Sequence, residues 1–207
     1  MNEIIAVATI TILAVISPGP DFAMVTRNSY SYGTKTGLLS ALGIAAGVQI
    51  HVLYTIFGVT LIIMSSPTLF MAVKLLGVAY LVYIGFKSLT NKTAINASDN
   101  LNPTSAPSSF SAFKMGFLTN ALNPKTMFFV VSVYTQVIQA GNSQWLNFSY
   151  GLFISFAHWV WFSLIALFFA APLIRNKILK YQFIMDRVIG ALLIILGISL
   201  LFFSISS

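Results

Sequence analysis

The sequence predicts an all-α integral membrane protein of six transmembrane helices, built as two inverted three-helix repeats with helices 1 and 4 broken. Three observations predict it. The 207 residues are 57% hydrophobic and only 7% charged, whereas a soluble domain carries roughly 25% charged residues, so this inventory cannot furnish a water-facing surface. Six apolar stretches meet or approach the roughly 20 residues that a helix needs to cross hydrocarbon. Two of the six are interrupted by proline motifs at corresponding places in the two halves of the chain.

The first stretch covers 3–26 and is cut by Ser17-Pro18-Gly19-Pro20-Asp21. Its apolar part, Ile4–Ile16, resembles a signal-peptide core. It is preceded by Glu3 with no Lys or Arg, and no small-residue cleavage site follows, so the segment is expected to be retained. The second and third stretches, 38–64 and 68–89, read as plain spans. Thr90–Ser111 is rich in Asn, Ser, Thr and Pro and too poor in apolar surface to offset its ordering entropy. It reads as a cytoplasmic linker over 90–111, dividing a first repeat (1–89) from a second (112–207). The fourth stretch, 112–138, is cut at Asn123-Pro124-Lys125. The fifth and sixth, 145–171 and 183–204, are again plain.

The net charge of +7 forms no patch that would suit nucleic acid. Arg27 and Lys35 fall in the first connection, Lys87, Lys92 and Lys114 flank the third, and Arg175, Lys177 and Lys180 fill the fifth; the second and fourth connections and both termini have none. Six spans put all three basic connections on one side, which the positive-inside rule makes cytoplasmic. Five spans would split them. Both termini are therefore expected to face outward. The absence of cysteine removes disulfides, thiolate metal sites and thiol redox chemistry.

The halves match in detail. A proline break is followed in each by a histidine, His51 and then His158, and by a basic residue three positions before a glycine, Lys74–Gly77 and then Arg187–Gly190. Three spans being odd, the second copy must enter from the opposite face. Inverted repeats of this kind are common in secondary transporters, which bind substrate near the midplane at broken helices.

Pro18 and Pro20 each lack an N–H and clash with the preceding turn, and Gly19 between them adds freedom. The backbone groups they release are tolerated at membrane depth only inside protein or against a wet cavity. A packing kink is the plainer alternative. Asp21, the only acidic residue inside the first half's spans, either caps the second half-helix or binds substrate. Lys125 lies mid-span and needs an anion; Asp21 is the obvious partner, by direct pairing or across one shared cavity. Asn123 and Pro124 repeat the break chemistry. These seven residues (Pro18, Gly19, Pro20, Asp21, Asn123, Pro124 and Lys125) form the expected substrate site. Asp21 and His51 are the candidates for carrying a coupled proton, since imidazole titrates near neutrality. Gln49, Lys74 and His158 are secondary candidates, His158 reading equally as a hydrogen-bonded core residue. Gly43-x-x-x-Gly47 reads as a close helix–helix contact, and Asp186 and Arg187 as residues of the cytoplasmic interface.

The run Ser17-Pro18-Gly19-Pro20-Asp21-Phe22, the Asn123-Pro124-Lys125 motif and the pattern Lys74-x-x-Gly77-x-x-Tyr80-Leu81-x-x-x-Gly85 together resemble the lysine exporter/RhtB family of bacterial amino-acid exporters. The resemblance covers essentially the whole chain. It implies an inner-membrane carrier that exports an amino acid by proton exchange, with no metal or cofactor and with the lipid bilayer as its surroundings; it leaves the substrate and any homo-oligomeric state open. An amino acid also suits the residues themselves. Its ammonium matches Asp21, and its carboxylate matches Lys125 and half-helix N–H groups. A basic side chain would want a second deep carboxylate, and with only Asp21 clearly deep the expectation is a neutral substrate of the threonine, homoserine or leucine type. A basic amino acid or, further off, a metal cation are the alternatives. A metal exporter would need more ligands at depth than one Asp and two His, and no nucleophile–base constellation points to an enzyme.

Overall fold

The computed structural model describes residues 3–90, 106–137, 143–171 and 180–198, apart from 182, 185 and 196. The expected linker, all but its first residue and its last six, lies outside them, as do Arg175, Lys177, the chain termini and the side chain of Lys74. The described residues form helices α1 (Glu3–Ile16), α2 (Pro20–Tyr32), α3 (Thr34–Ser65), α4 (Pro67–Leu89), α5 (Ser109–Ala121), α6 (Pro124–Val137) and α7 (Gln144–Ala170), and 186–195 form a further helix, α8.

Local sequence sets the boundaries. Ser66, Ser108 and Ser143 each accept a hydrogen bond at 3.2 Å from the N–H three residues on, which caps α4, α5 and α7. Pro20 and Pro67 occupy first-turn positions, where the missing N–H costs nothing. The first connection is shorter than the sequence indicated. α2 runs on through Arg27 to Tyr32, and Gly33 alone, at φ 86°, turns the chain into α3; only glycine takes that angle without strain.

By length and apolarity α3, α4 and α7 can each cross a membrane, and α1 with α2, bent by 53° at the break, makes a fourth if the pair is one broken span and not a re-entrant loop. The α5–α6 pair is interrupted at Leu122–Asn123, so neither half is long enough alone. α3 lies centrally, packed against α2, α5, α6 and α7. Its contact with α5 is made backbone to backbone: a Cβ on Gly43 would stand 2.1 Å from the Phe113 carbonyl oxygen, and one on Gly116 2.0 Å from that of Ser40. The Gly43-x-x-x-Gly47 surface is thus a packing surface, as its spacing indicates.

Two apolar clusters fill the interior. One joins Val7 and Ile10 of α1, Val48 and Val52 of α3, Phe129 and Val133 of α6, and Ile154 of α7. The other joins Val15, Phe22 and Val25 with Ala41, Ile44, Phe162 and Phe169. Large apolar side chains also face outward, among them Phe57, Phe86, Leu152, Phe156 and Ile195, a distribution that fits hydrocarbon rather than water.

Candidate functional site

Both breaks have the same construction. In the first, Gly19 precedes Pro20 and Asp21 at the start of α2, and the Ala23 N–H returns to the Gly19 carbonyl at 3.0 Å. In the second, Asn123 precedes Pro124 and Lys125 at the start of α6, and the Met127 N–H returns to the Asn123 carbonyl at 3.0 Å. The Asn123 side chain adds a cap, its Oδ1 accepting from the Lys125 N–H at 3.0 Å. Each half-helix therefore begins with a cap residue, a proline and a charge.

The two charges face opposite electrostatics. A carboxylate in the first turn of α2 lies at the positive end of that helix and is favoured there; an ammonium in the first turn of α6 is not. Lys125 resolves the conflict by reaching across to α1. Its Nζ donates to the main-chain carbonyl of Ser17 and, at 3.3 Å, to that of Pro18, oxygens at the negative end of α1 that the proline break has released. Gly19 gives it room: a Cβ there would lie 3.2 Å from Lys125 Cδ.

Asp21 returns the contact. Its Oδ2 accepts from Asn120 Nδ2 at 2.8 Å, Asn123 Nδ2 at 3.2 Å and the Thr126 hydroxyl at 3.5 Å, all flanking the second break. Its Oδ1 is buried without a hydrogen-bond partner. Asp21 and Lys125 do not bond each other. Of the two arrangements open to them, direct pairing and a shared cavity, the structure shows the second.

That cavity is lined by Ser17, Gly19 and Asp21 of the first break, Asn123, Lys125 and Thr126 of the second, and His158, with Phe22, Phe129 and Phe162 as apolar walls. Its volume is about 20 Å³, room for about one water. A second cavity of about 700 Å³ adjoins it, sharing Ser17, Gly19, Asn123 and Lys125 and extending to Tyr80, Tyr83, Lys87 and Asp186. Pro18, Pro20 and Pro124 line this larger chamber. All seven residues expected at the substrate site therefore line one cavity or the other.

The remaining candidates separate. His158 lines the small cavity, its Nδ1 donating to the Ile154 carbonyl of its own helix at 2.8 Å. His51 is buried one residue away from it: Nε2 donates to the Asn120 carbonyl at 2.8 Å and Nδ1 accepts from the Tyr54 hydroxyl at 2.7 Å. It reaches Asp21 only through Asn120. Gln49 lines neither cavity and ties α3 to α7 through the Gly151 carbonyl and the Ser155 hydroxyl.

Two contributors escaped the sequence reading. Asn120 is fully buried and bonds Asp21, Thr126 and His51 at once; its signal was an amide three residues before Asn123 in an apolar span. Thr126 is the second. Asp186, read from the sequence as a residue of the cytoplasmic interface, is 1% exposed and lines the large chamber with Lys87 and Lys125. The close packing of α8 on α4 buries it, which local sequence does not reveal.

Fold and site thus define a helical membrane protein in which two interrupted helices meet beside a polar cavity, the lysine of one bonding carbonyls released in the other and the carboxylate of that other taking side-chain donors from the first. The chain belongs to the LysE type translocator family, whose family model matches residues 12–204. It is 31% identical to the uncharacterized membrane protein YrhP of Bacillus subtilis, over 96% of this chain and 98% of that one. It is 30% identical to the threonine efflux protein of Escherichia coli, over 95% and 96%, and 29% identical to the threonine efflux protein of Salmonella typhi, over 94% and 95%. No solved structure matches the chain.

Proposed function

We propose that this protein exports a small neutral amino acid across the bacterial inner membrane in exchange for protons, through six spans forming two inverted three-helix repeats with both termini periplasmic. One observation carries the reading: Asp21 and Lys125, opposite charges on two broken helices, line a single cavity at the place where the breaks meet. An amino acid carries the same two charges. In the conformation described the small cavity is closed down to about one water, so the substrate occupies the adjoining chamber first and reaches Asp21 when the half-helices separate.

The packing supports the inverted repeat. Such a repeat makes α1–α2 the counterpart of α5–α6 and α3 that of α7, and the packing of α2 on α7 has its counterpart in that of α6 on α3. The lysine of the second break reaches the first, and the carboxylate of the first break receives amides from the second.

The substrate class is supported by the threonine efflux relatives. The sequence argument for a neutral substrate counts Asp21 as the one clearly deep carboxylate; Asp186 is a second buried one. Energetics supports proton exchange over uniport. A zwitterion carries no net charge, so the membrane potential alone does not drive it, whereas one inward proton contributes about 2.3 kcal/mol per 100 mV. Asp21, with one carboxylate oxygen unbonded beside the cavity, is better placed to carry it than His51, both of whose ring nitrogens are engaged.

Efflux of a labelled amino-acid panel from proteoliposomes, with and without a pH gradient, tests the reading. Export of threonine, homoserine or leucine, accelerated by inward proton flow, is the expected result. Export confined to basic amino acids, or none at all, would overturn it.

A further inference from the structure

His158, 4% exposed on α7, lines the small cavity together with Asp21, and its ring has more capacity than packing needs. The Nδ1 proton goes to the Ile154 carbonyl at 2.8 Å. That bond fixes the neutral ring as the Nδ1–H tautomer and leaves a lone pair on Nε2. Nε2 has no hydrogen-bond partner among the described residues. A structural histidine would use its ring to tie two elements together; this one bonds its own helix only, at a carbonyl that the α-helical ladder already serves. Asp21 Oδ1 is likewise buried without a partner. An imidazole lone pair and a carboxylate oxygen are both acceptors, so together they suit a group that only donates.

The walls favour the same group. The His158 ring lies 6.2 Å from Phe129 and 6.1 Å from Phe162, centre to centre, and both phenylalanines line the cavity with Phe22. Aromatic faces attract a cation. The volume of about 20 Å³ takes a group the size of one water, which is the size of a primary ammonium head. Lys125, the lysine on the same cavity, has two of its three N–H donors on the Ser17 and Pro18 carbonyls and offers the third to an anion. It also borders the large chamber. An α-amino acid carries its ammonium and carboxylate on one carbon. A head in the small cavity therefore brings the carboxylate to Lys125 at the boundary and leaves the side chain in the chamber.

We infer that His158 Nε2 and Asp21 Oδ1 form a two-acceptor cradle for the ammonium head of the substrate, which makes His158 a substrate ligand that selects primary ammonium groups. The inference rests on the amino-acid export reading and deepens it. The cradle takes the head when the half-helices part, accepting two of its three N–H donors, and leaves the choice of side chain to the larger chamber. A quaternary ammonium has no N–H for either acceptor and is too large for the cavity.

The test is counterflow in proteoliposomes of threonine and of 2-aminobutyrate, the same skeleton without the hydroxyl, by wild type, His158→Phe and His158→Gln, each checked for a native melting temperature. The phenylalanine keeps a ring between Phe129 and Phe162 and removes the acceptor; the glutamine amide oxygen restores one. His158→Phe is expected to raise KM about tenfold for both substrates, as for loss of one hydrogen bond to a charged group, with maximal flux within about threefold. His158→Gln should recover most of the loss. If His158→Phe does not fold, His158→Leu takes its place. An unchanged KM overturns the cradle while leaving transport by wild type intact. A rise that glutamine does not recover overturns it too, as an effect of packing, and so does a rise for threonine alone, which would assign Nε2 to the side-chain hydroxyl. Methylammonium supplies a second readout that needs no transport. It should raise the melting temperature of wild type, about tenfold more of it should be needed for His158→Phe, and tetramethylammonium should move neither. Equal responses in wild type and variant, or none in wild type, overturn the cradle. If wild type moves no amino acid but binds methylammonium through His158, the export reading fails and the cradle stands.

Discussion

Lys125, on the second broken helix, donates its ammonium proton to the main-chain carbonyl of Pro18 on the first at 3.3 Å. With the Ser17 carbonyl as its other acceptor, the lysine closes the end of α1 that proline leaves open. Asp21 is held in turn by Asn120 and Asn123 of the other break. The breaks are therefore braced by charge-to-backbone and charge-to-amide bonds, not by an ion pair.

This bracing decides how paired substitutions behave. Lys125→Met strands two buried carbonyls and is expected to lower stability by about 1–3 kcal/mol. Asp21→Asn keeps an accepting oxygen for the neighbouring amides and should cost less. The double variant should be about as unstable as the sum of the two, because each charge has partners of its own, and it should export nothing. Reversible unfolding of the four purified proteins makes the comparison. A double variant restored to wild-type stability would mean that the two charges pair directly.

The breaks were legible in the sequence, because proline and glycine act on the backbone wherever they stand. Which groups meet there was not legible. The cap–proline–charge pattern at 19–21 and 123–125 says that two helices open, but not that the lysine of one reaches the carbonyls of the other. Gly43-x-x-x-Gly47 announced a close contact without naming α5 as its partner. His51 and Asp186 show the limit most clearly. His51 was a candidate for carrying a proton, and packing sets Asn120 between it and Asp21; Asp186 was read as an interfacial residue, and packing buries its side chain. In both cases tertiary packing decides, and no local signal carries it.

The α3–α5 contact gives a prediction about folding. A Cβ at Gly43 would stand 2.1 Å from the Phe113 carbonyl oxygen and 2.7 Å from the Phe117 nitrogen, backbone atoms that cannot move aside as a side-chain tip can. Gly43→Ala should cost at least about 3 kcal/mol, beyond the usual range for overpacking, or prevent accumulation of folded protein. Gly58→Ala, on the same helix with nothing within 4 Å of its Cβ, is the control and should be neutral. Melting temperatures in detergent check both; similar values would mean that α3 and α5 are not in backbone contact.

Topology can be read directly, because the chain has no native cysteine. Single cysteines at Ser98 and Ser206 are expected to react with an impermeant thiol reagent from the cytoplasmic and the periplasmic side, respectively. Labelling of both from one side would exclude six spans with the linker inside.

The sharpest division is between Asp21 and His51. Asp21 lines the small cavity, and its Oδ1 has no hydrogen-bond partner, so a proton arriving there meets an open acceptor. His51 lies behind Asn120, its Nε2 proton committed to the Asn120 carbonyl and its Nδ1 to the Tyr54 hydroxyl. A coupled proton would have to displace one of those bonds to use it. Asp21→Asn should therefore abolish uphill export driven by a pH gradient while leaving amino-acid counterflow, which needs no net proton movement, measurable. His51→Gln keeps an amide donor for the Asn120 carbonyl and should retain pH-driven export, with flux lowered no more than about tenfold through looser placement of Asn120. Both variants are measured in proteoliposomes by gradient-driven uptake and by counterflow, so that loss of coupling is separated from loss of transport. Full uphill export by Asp21→Asn would remove Asp21 from the proton path. Loss of coupling in His51→Gln, with counterflow preserved, would place the proton on the histidine and leave Asp21 as a substrate ligand and helix cap.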